Sequence, residues 1–205
     1  MKQITFYTDG ACSGNPGEGG WAYVEVIPCS NGIKTNVVTG NKKQTTNNEM
    51  ELTAVYMALV KALKNKTKQV TVYCDSAYVV NAITKGWLQN WHNNGWVTKE
   101  GKPIKNKHIW EKMYLLVYEK KMNITMLKVK GHKGDPLNEL ADKSAVEAKQ
   151  RIMEGKGNVD SREDIGERFS RENNKRSIFE LLQVDVYKCD CCEQFKTYYI
   201  QNREG

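Results

Sequence analysis

The sequence predicts an α/β protein built on one five-stranded mixed sheet, three antiparallel strands followed by parallel ones, with helices flanking it. Over the first 40 residues apolar side chains alternate with period two between clusters of turn formers, the signature of strands joined by short connections. After Thr46 the period becomes helical, and short β-branched runs then alternate with helices, as crossover connections between parallel strands require. The 205 residues suit one domain plus an appendage, because single cores commonly form at roughly 100–200 residues.

Residues 2–9 read as a half-buried strand with Ile4, Phe6 and Thr8 on one side, ending at Asp9. Gly and Pro crowd residues 10–20, and the stretch is expected to hold no regular element and to follow a tight path close to a ligand. A second strand is expected from about Trp21 to Ile27 and a third from about Ile33 to Gly40. Met50, Ala54, Met57, Ala58 and Leu63 then repeat at helical spacing, and the basic stretch Lys61–Lys68 suits a helix carboxyl end. Residues 69–74 form a β-branched strand that stops at Asp75, and a helix follows over Ala77–Lys85. Residues 104–121 read as a helix, 123–130 as the fifth strand, and 137–150 as a helix introduced by Asp135-Pro136.

Hydrophobic residues make up 40% and charged residues 27%, the balance of a soluble globular protein, so disorder is not the default expectation. The amino terminus lacks the apolar core of a signal peptide and no run reaches the length of a membrane span. Cysteines at 12, 29, 74, 189, 191 and 192 do not form the framework of a secreted disulfide scaffold, so a reducing, cytoplasmic setting is expected. Lys and Arg number 21 against 13 acids in residues 1–150, but 10 against 11 in residues 151–205. The excess of +7 therefore comes from the first 150 residues, a distribution that suits a polyanionic partner and equally a merely soluble basic protein.

Asp9 and Asp75 each sit just past an apolar strand, and neighbouring parallel strands would bring both to one edge of the sheet, where sheet proteins bind ligands. Glu51 and Asp142 lie in helices beside apolar residues, as surface charges or as groups aimed at a shared site. Their surroundings say more. TDGACSGNPG around Asp9, TTNNEMEL around Glu51, CDSAYV around Asp75 and KGHKGDPLNELAD across His132 and Asp142 together resemble the type 1 ribonuclease H family, in the same order and over about residues 1–150.

That resemblance implies a ribonuclease H-like fold and an endonuclease that cuts the RNA strand of RNA–DNA hybrids, leaving 5′-phosphate and 3′-hydroxyl ends. It implies that Asp9, Glu51, Asp75 and Asp142 hold two Mg²⁺ ions about 4 Å apart. Hard oxygen ligands suit Mn²⁺ as a substitute. His132 is similar to the family's mobile accessory histidine. Cys12, Gly14, Asn15, Thr46, Asn47 and Asn48 match positions along the minor groove of the hybrid, where 2′-hydroxyls are read; Thr46-Asn47-Asn48 could also cap the helix that follows. Residues 85–112 resemble the family's basic protrusion: Lys99, Lys102 and Lys105, with Lys85 and Lys107, would meet phosphates. Trp87, Trp91 and Trp96 either lie against sugars or form the protrusion's small core. Ser76-Ala77 departs from the family, in which an amide often follows two residues after the matching aspartate.

Residues 151–205 lie outside the resemblance. Residues 151–176 read as a linker or exposed helix and 177–205 as a small appendage in which Cys189, Cys191 and Cys192 offer three thiols. A closed zinc site needs a fourth ligand, so an intermolecular metal site or a redox-active group remains open. The expected role of the extension is to tether a nuclease, itself expected to be a monomer, to a protein partner or nucleic acid. A non-catalytic hybrid-binding module would keep the protrusion and lose metal ligands; all four are present. A DNA nuclease or integrase-like enzyme would share the sheet and acids without the His132 block.

Overall fold

The computed structural model describes residues 3–30, 32–129 and 134–153. The order is β1 (Gln3–Gly14), β2 (Gly17–Cys29), β3 (Gly32–Thr45), α1 (Asn47–Lys64), β4 (Gln69–Cys74), α2 (Ala77–Thr84), α3 (Trp87–Asn93), α4 (Lys107–Tyr114), β5 (Asn123–Lys128) and α5 (Pro136–Met153). One mixed sheet runs β3-β2-β1-β4-β5: β1 is antiparallel to β2 and parallel to β4, and β5 is parallel to β4. This is the sheet expected from the change of period at Thr46.

Side chains of a strand alternate between faces, and here each face acquires its own layer. Ile4, Phe6, Val70 and Val72 join Leu52, Leu59 and Trp110 in the main core, under α1 and the helices after β4. On the opposite face α5 packs mainly over β1, β2 and β3. Small residues bring it close: Gly20 on β2 meets a helix whose buried positions include Ala141, Ala145 and Ala148. A methyl group on Gly20 would overlap the α5 backbone at Ala145 and Lys149.

Three expectations need correction. Residues 10–20 are not irregular: Gly10 pairs with Trp21 and Gly14 with Gly17, so the stretch is the end of a hairpin turning at Asn15-Pro16. Its glycines serve close packing as much as turning, since a side chain on Gly10 would strike the α1 backbone at Met50 and Glu51. The helix expected over 104–121 begins only at Lys107, after Asn106 with φ 58°, and passes into a π-helical stretch over Leu115–Glu119. The chain before it is held out of the helix by a bridge from Val97 to Pro103 and by the buried Ile104. The short α3 has no counterpart among the expected elements. Its seven residues, bounded by Gly86 and Gly95, are too few to establish a helical period.

Of the remaining expectations, the extension after Met153 lies outside the described residues, as do His132, Cys189, Cys191 and Cys192.

Candidate active site

β1 and β4 pair in parallel as far as Thr8 opposite Cys74, so Asp9 and Asp75 emerge side by side at one sheet edge. Asp9 is 7% exposed. Its Oδ1 accepts the Gly10 amide at 2.6 Å. Glu51 comes from the second turn of α1, brought up by the close approach at Gly10, and Asp142 from α5. The sequence-predicted acids therefore converge from four elements.

Electrostatics record that convergence. Burial first, then the charge of Asp75, and after it those of Asp142 and Glu51, push the Asp9 carboxyl from 3.8 up to about 8. Glu51 is also raised, by burial and by Asp75, against two hydrogen bonds that favour its charged form. Asn47 Nδ2 donates to Glu51 Oε1 at 2.9 Å, and the Ser76 hydroxyl donates to Oε2. Among the described residues no three acid, histidine or cysteine side chains enclose an ion as they stand. The donor set nevertheless fits a hard divalent cation, because four carboxylates sharing one field need positive charge to ionise together.

Along the flank, Cys12 Sγ donates to Thr45 O at 3.4 Å, tying β1 to the end of β3. Gly14 sits in the hairpin turn with φ 85°. Asn15 Oδ1 accepts the Asn47 amide at 3.4 Å. Thr46 is the α1 N-cap, its hydroxyl accepting from Glu49 N at 3.3 Å, whereas Asn47 and the exposed Asn48 lie inside the first helical turn. Of the three residues weighed as caps, only Thr46 caps with its side chain, and Asn47 instead holds Glu51.

Residues 85–112, expected to form the protrusion, follow α2. Lys99, Lys102 and Lys105 are exposed there. Trp87 and Trp91, with Asn90, Asn94, Val97, Thr98, Lys99 and Glu100, line a cavity of about 360 Å³. Both indoles are partly buried, their rings 6.2 Å apart, and Trp91 lies 5.3 Å from fully buried Trp110. They thus pack against the main core and also present an edge to the cavity. Trp96 packs at 6.4 Å against Tyr114, away from that cavity's lining.

Sequence reasoning passes over two residues that the fold draws in. Ser76 registers in the sequence only beside the missing amide, which belongs at Ala77, yet it holds Glu51; its place directly after a strand-end acid is the available signal. Asn138 is 2% exposed on the sheet side of α5, one turn before Asp142, and its Oδ1 accepts no hydrogen bond. An amide in step with Ala141 and Ala145 on an apolar stripe is its signal.

A five-stranded mixed sheet with acids gathered where two parallel strands end defines an α/β protein with a carboxylate-centred site. The RNase H family model matches residues 1–150. A ribonuclease H of Syntrophomonas wolfei is 45% identical over 148 residues, 72% of this chain and 97% of the relative. One of Caldicellulosiruptor saccharolyticus is 48% identical over 145 residues, 71% of this chain and 94% of the relative. The crystal structure of LC9-RNase H1, a type 1 RNase H with the type 2 active-site motif, superposes with a TM-score of 0.62 at 30% identity, covering 72% of each chain. The chain belongs to the ribonuclease H family.

Proposed function

We propose that the protein is an endoribonuclease of RNA–DNA hybrids in which Asp9, Glu51, Asp75 and Asp142 hold two divalent cations, Mg²⁺ with Mn²⁺ as a substitute. The observation that carries this reading is the Asp9 carboxyl, raised to about 8 by burial and by the other three acids. Such a cluster ionises fully at neutral pH only when cations enter it. When bound, the metal supplies an activated water and neutralises charge on the scissile phosphate, leaving 5′-phosphate and 3′-hydroxyl ends.

The chain's own residues orient the rest. Asn47 and Ser76 hold both oxygens of Glu51, so its carboxylate is aimed before any ligand arrives. The Asn15–Asn47 contact joins the hairpin turn to that same helix start and supports a shared edge for the RNA strand, read with Cys12, Gly14, Thr46 and Asn48 through the minor groove. Exposed Lys99, Lys102 and Lys105, beside the Trp87–Trp91 cavity, suit the DNA strand's phosphates and sugars. His132 enters the proposal as an accessory to water activation or product departure. The protein is proposed as a cytoplasmic monomer, with the extension as a tether to a partner. Among the described residues no helix is long and apolar enough to cross a membrane.

Incubation with end-labelled hybrid, duplex RNA and duplex DNA in Mg²⁺ tests the reading: only the RNA of the hybrid should be cut, and an intact hybrid under both Mg²⁺ and Mn²⁺ would reject it. Replacing Lys99, Lys102 and Lys105 with Ala should weaken hybrid binding and flatten its dependence on log salt by about one unit for each phosphate no longer neutralised. An unchanged salt slope would remove those lysines from the interface.

A further inference from the structure

The two sides of α3 carry different residues. Trp87, Asn90, Trp91 and Asn94 recur at helical spacing and turn toward the cavity described above. Gln89 and His92 fall on the other side, where a second group of rings gathers that the proposed function leaves unused. The exposed His92 imidazole stacks on the Tyr114 ring, with centroids 3.8 Å apart and planes 6° from parallel. Tyr118 packs on Tyr114 as well, at 4.8 Å. Trp96 stands perpendicular to both stacked rings, at 89° to His92 and 85° to Tyr114, and flanks the stack. Gln89 Nε2 donates to the Tyr114 hydroxyl at 3.4 Å and to Asn93 Oδ1 at 3.0 Å, which ties the stack to α3.

Trp96, Tyr114 and Tyr118 rest on the main core, so the column is anchored from below while its outermost ring, His92, meets solvent. A flat ring ending such a column accepts one more planar ring. Charge selects its kind. Residues 85–121 hold eight lysines against three glutamates, and Lys120 and Lys121 are exposed directly after the stretch that carries Tyr118. Positive charge around a stacking surface favours a planar group carried on a phosphate backbone over the apolar side chain of a protein. We propose that His92, backed by Tyr114 and flanked by Trp96, is a stacking site for an unpaired nucleobase of single-stranded DNA running off the end of a hybrid. The proposal rests on the reading that this chain binds RNA–DNA hybrids. A paired base is already stacked on both faces, so only an unpaired one is free to extend the column. The site stands across α3 from the cavity beside Lys99, a helix width of about 10 Å that a flexible single strand can cross. Stacking reads no base edge, so the site should tolerate any overhang sequence.

Fluorescence anisotropy of the full chain with hybrids that end blunt or in a short DNA overhang tests the proposal. The overhang should tighten binding by wild type roughly tenfold. His92→Ala should lose that gain and keep the wild-type affinity and cleavage rate on the blunt hybrid, whereas His92→Phe, which restores a ring, should keep the gain. An abasic overhang, with its phosphates but no bases, should bind as the blunt hybrid does. Equal wild-type affinities for blunt and overhanging hybrids overturn the proposal. So does a gain that survives in full in His92→Ala or with the abasic overhang, which would assign it to the lysines. The two readings fail in different ways: if neither hybrid binds, the hybrid reading fails and takes the stacking site with it; if the blunt hybrid is bound and cut but the overhang adds nothing, the stacking site alone fails.

Discussion

Asp9→Asn is expected to abolish hybrid cleavage and, in metal-free buffer above neutral pH, to raise the melting temperature. Both effects have one cause. The Asp9 carboxyl is raised from 3.8 to about 8 by burial and then by Asp75, Asp142 and Glu51, so the folded protein binds its proton far more tightly than the unfolded chain does. A group raised in this way contributes stability that is fully present below its unfolded value, near pH 4, and is lost as pH climbs through about 8. The metal-free wild type should therefore weaken steadily across that window, and Asn, which cannot ionise, should flatten the dependence. The amide keeps an oxygen for the Gly10 N–H but offers a cation no charge. Thermal melts of wild type and variant from pH 5 to pH 9, with and without Mg²⁺, check this. Added Mg²⁺ should recover the wild type and leave the variant unmoved. Parallel pH curves for the two proteins would count against an acid cluster held in mutual repulsion.

The second large effect is expected from the smallest change. Gly10→Ala places a methyl group on β1 where the α1 backbone at Met50 and Glu51 already stands. Neither neighbour is the free end of a flexible side chain, so the helix itself must withdraw. Overpacking of this kind costs about 1–3 kcal/mol, sometimes more. The displaced residue is Glu51, so activity should fall beyond what the reduced stability explains. Measuring kcat well below the variant's melting point, beside a urea denaturation curve, separates the two; full activity at low temperature would show that α1 can retreat without moving its carboxylate.

These two sites differ in how much of them the sequence discloses. Asp9 and Asp75 are legible because each follows an apolar strand run, whereas Glu51 and Asp142 are legible only through the motifs around them and the family those motifs resemble. The hairpin of residues 10–20 is not, because glycine removes the side chains from which alternation is read, and its pairing becomes visible only with Trp21 opposite Gly10. The α3 helix escapes for want of length. The hydrogen bond from Ser76 to Glu51 joins the end of β4 to α1, and no local pattern announces a contact made by folding alone.

The protrusion is fastened to the body by an aromatic joint. Trp110 Nε1 donates to the Tyr78 hydroxyl at 2.7 Å, and Tyr78, with its ring 6.4 Å from that of Trp91, sits in the first turn of the helix that starts just after Asp75. Under the proposed function such a joint would act as a calliper with one jaw among the lysines and the other at the carboxylates. The number of nucleotides between the strand held and the bond cut would then be a constant of the protein, indifferent to the base sequence passing through it.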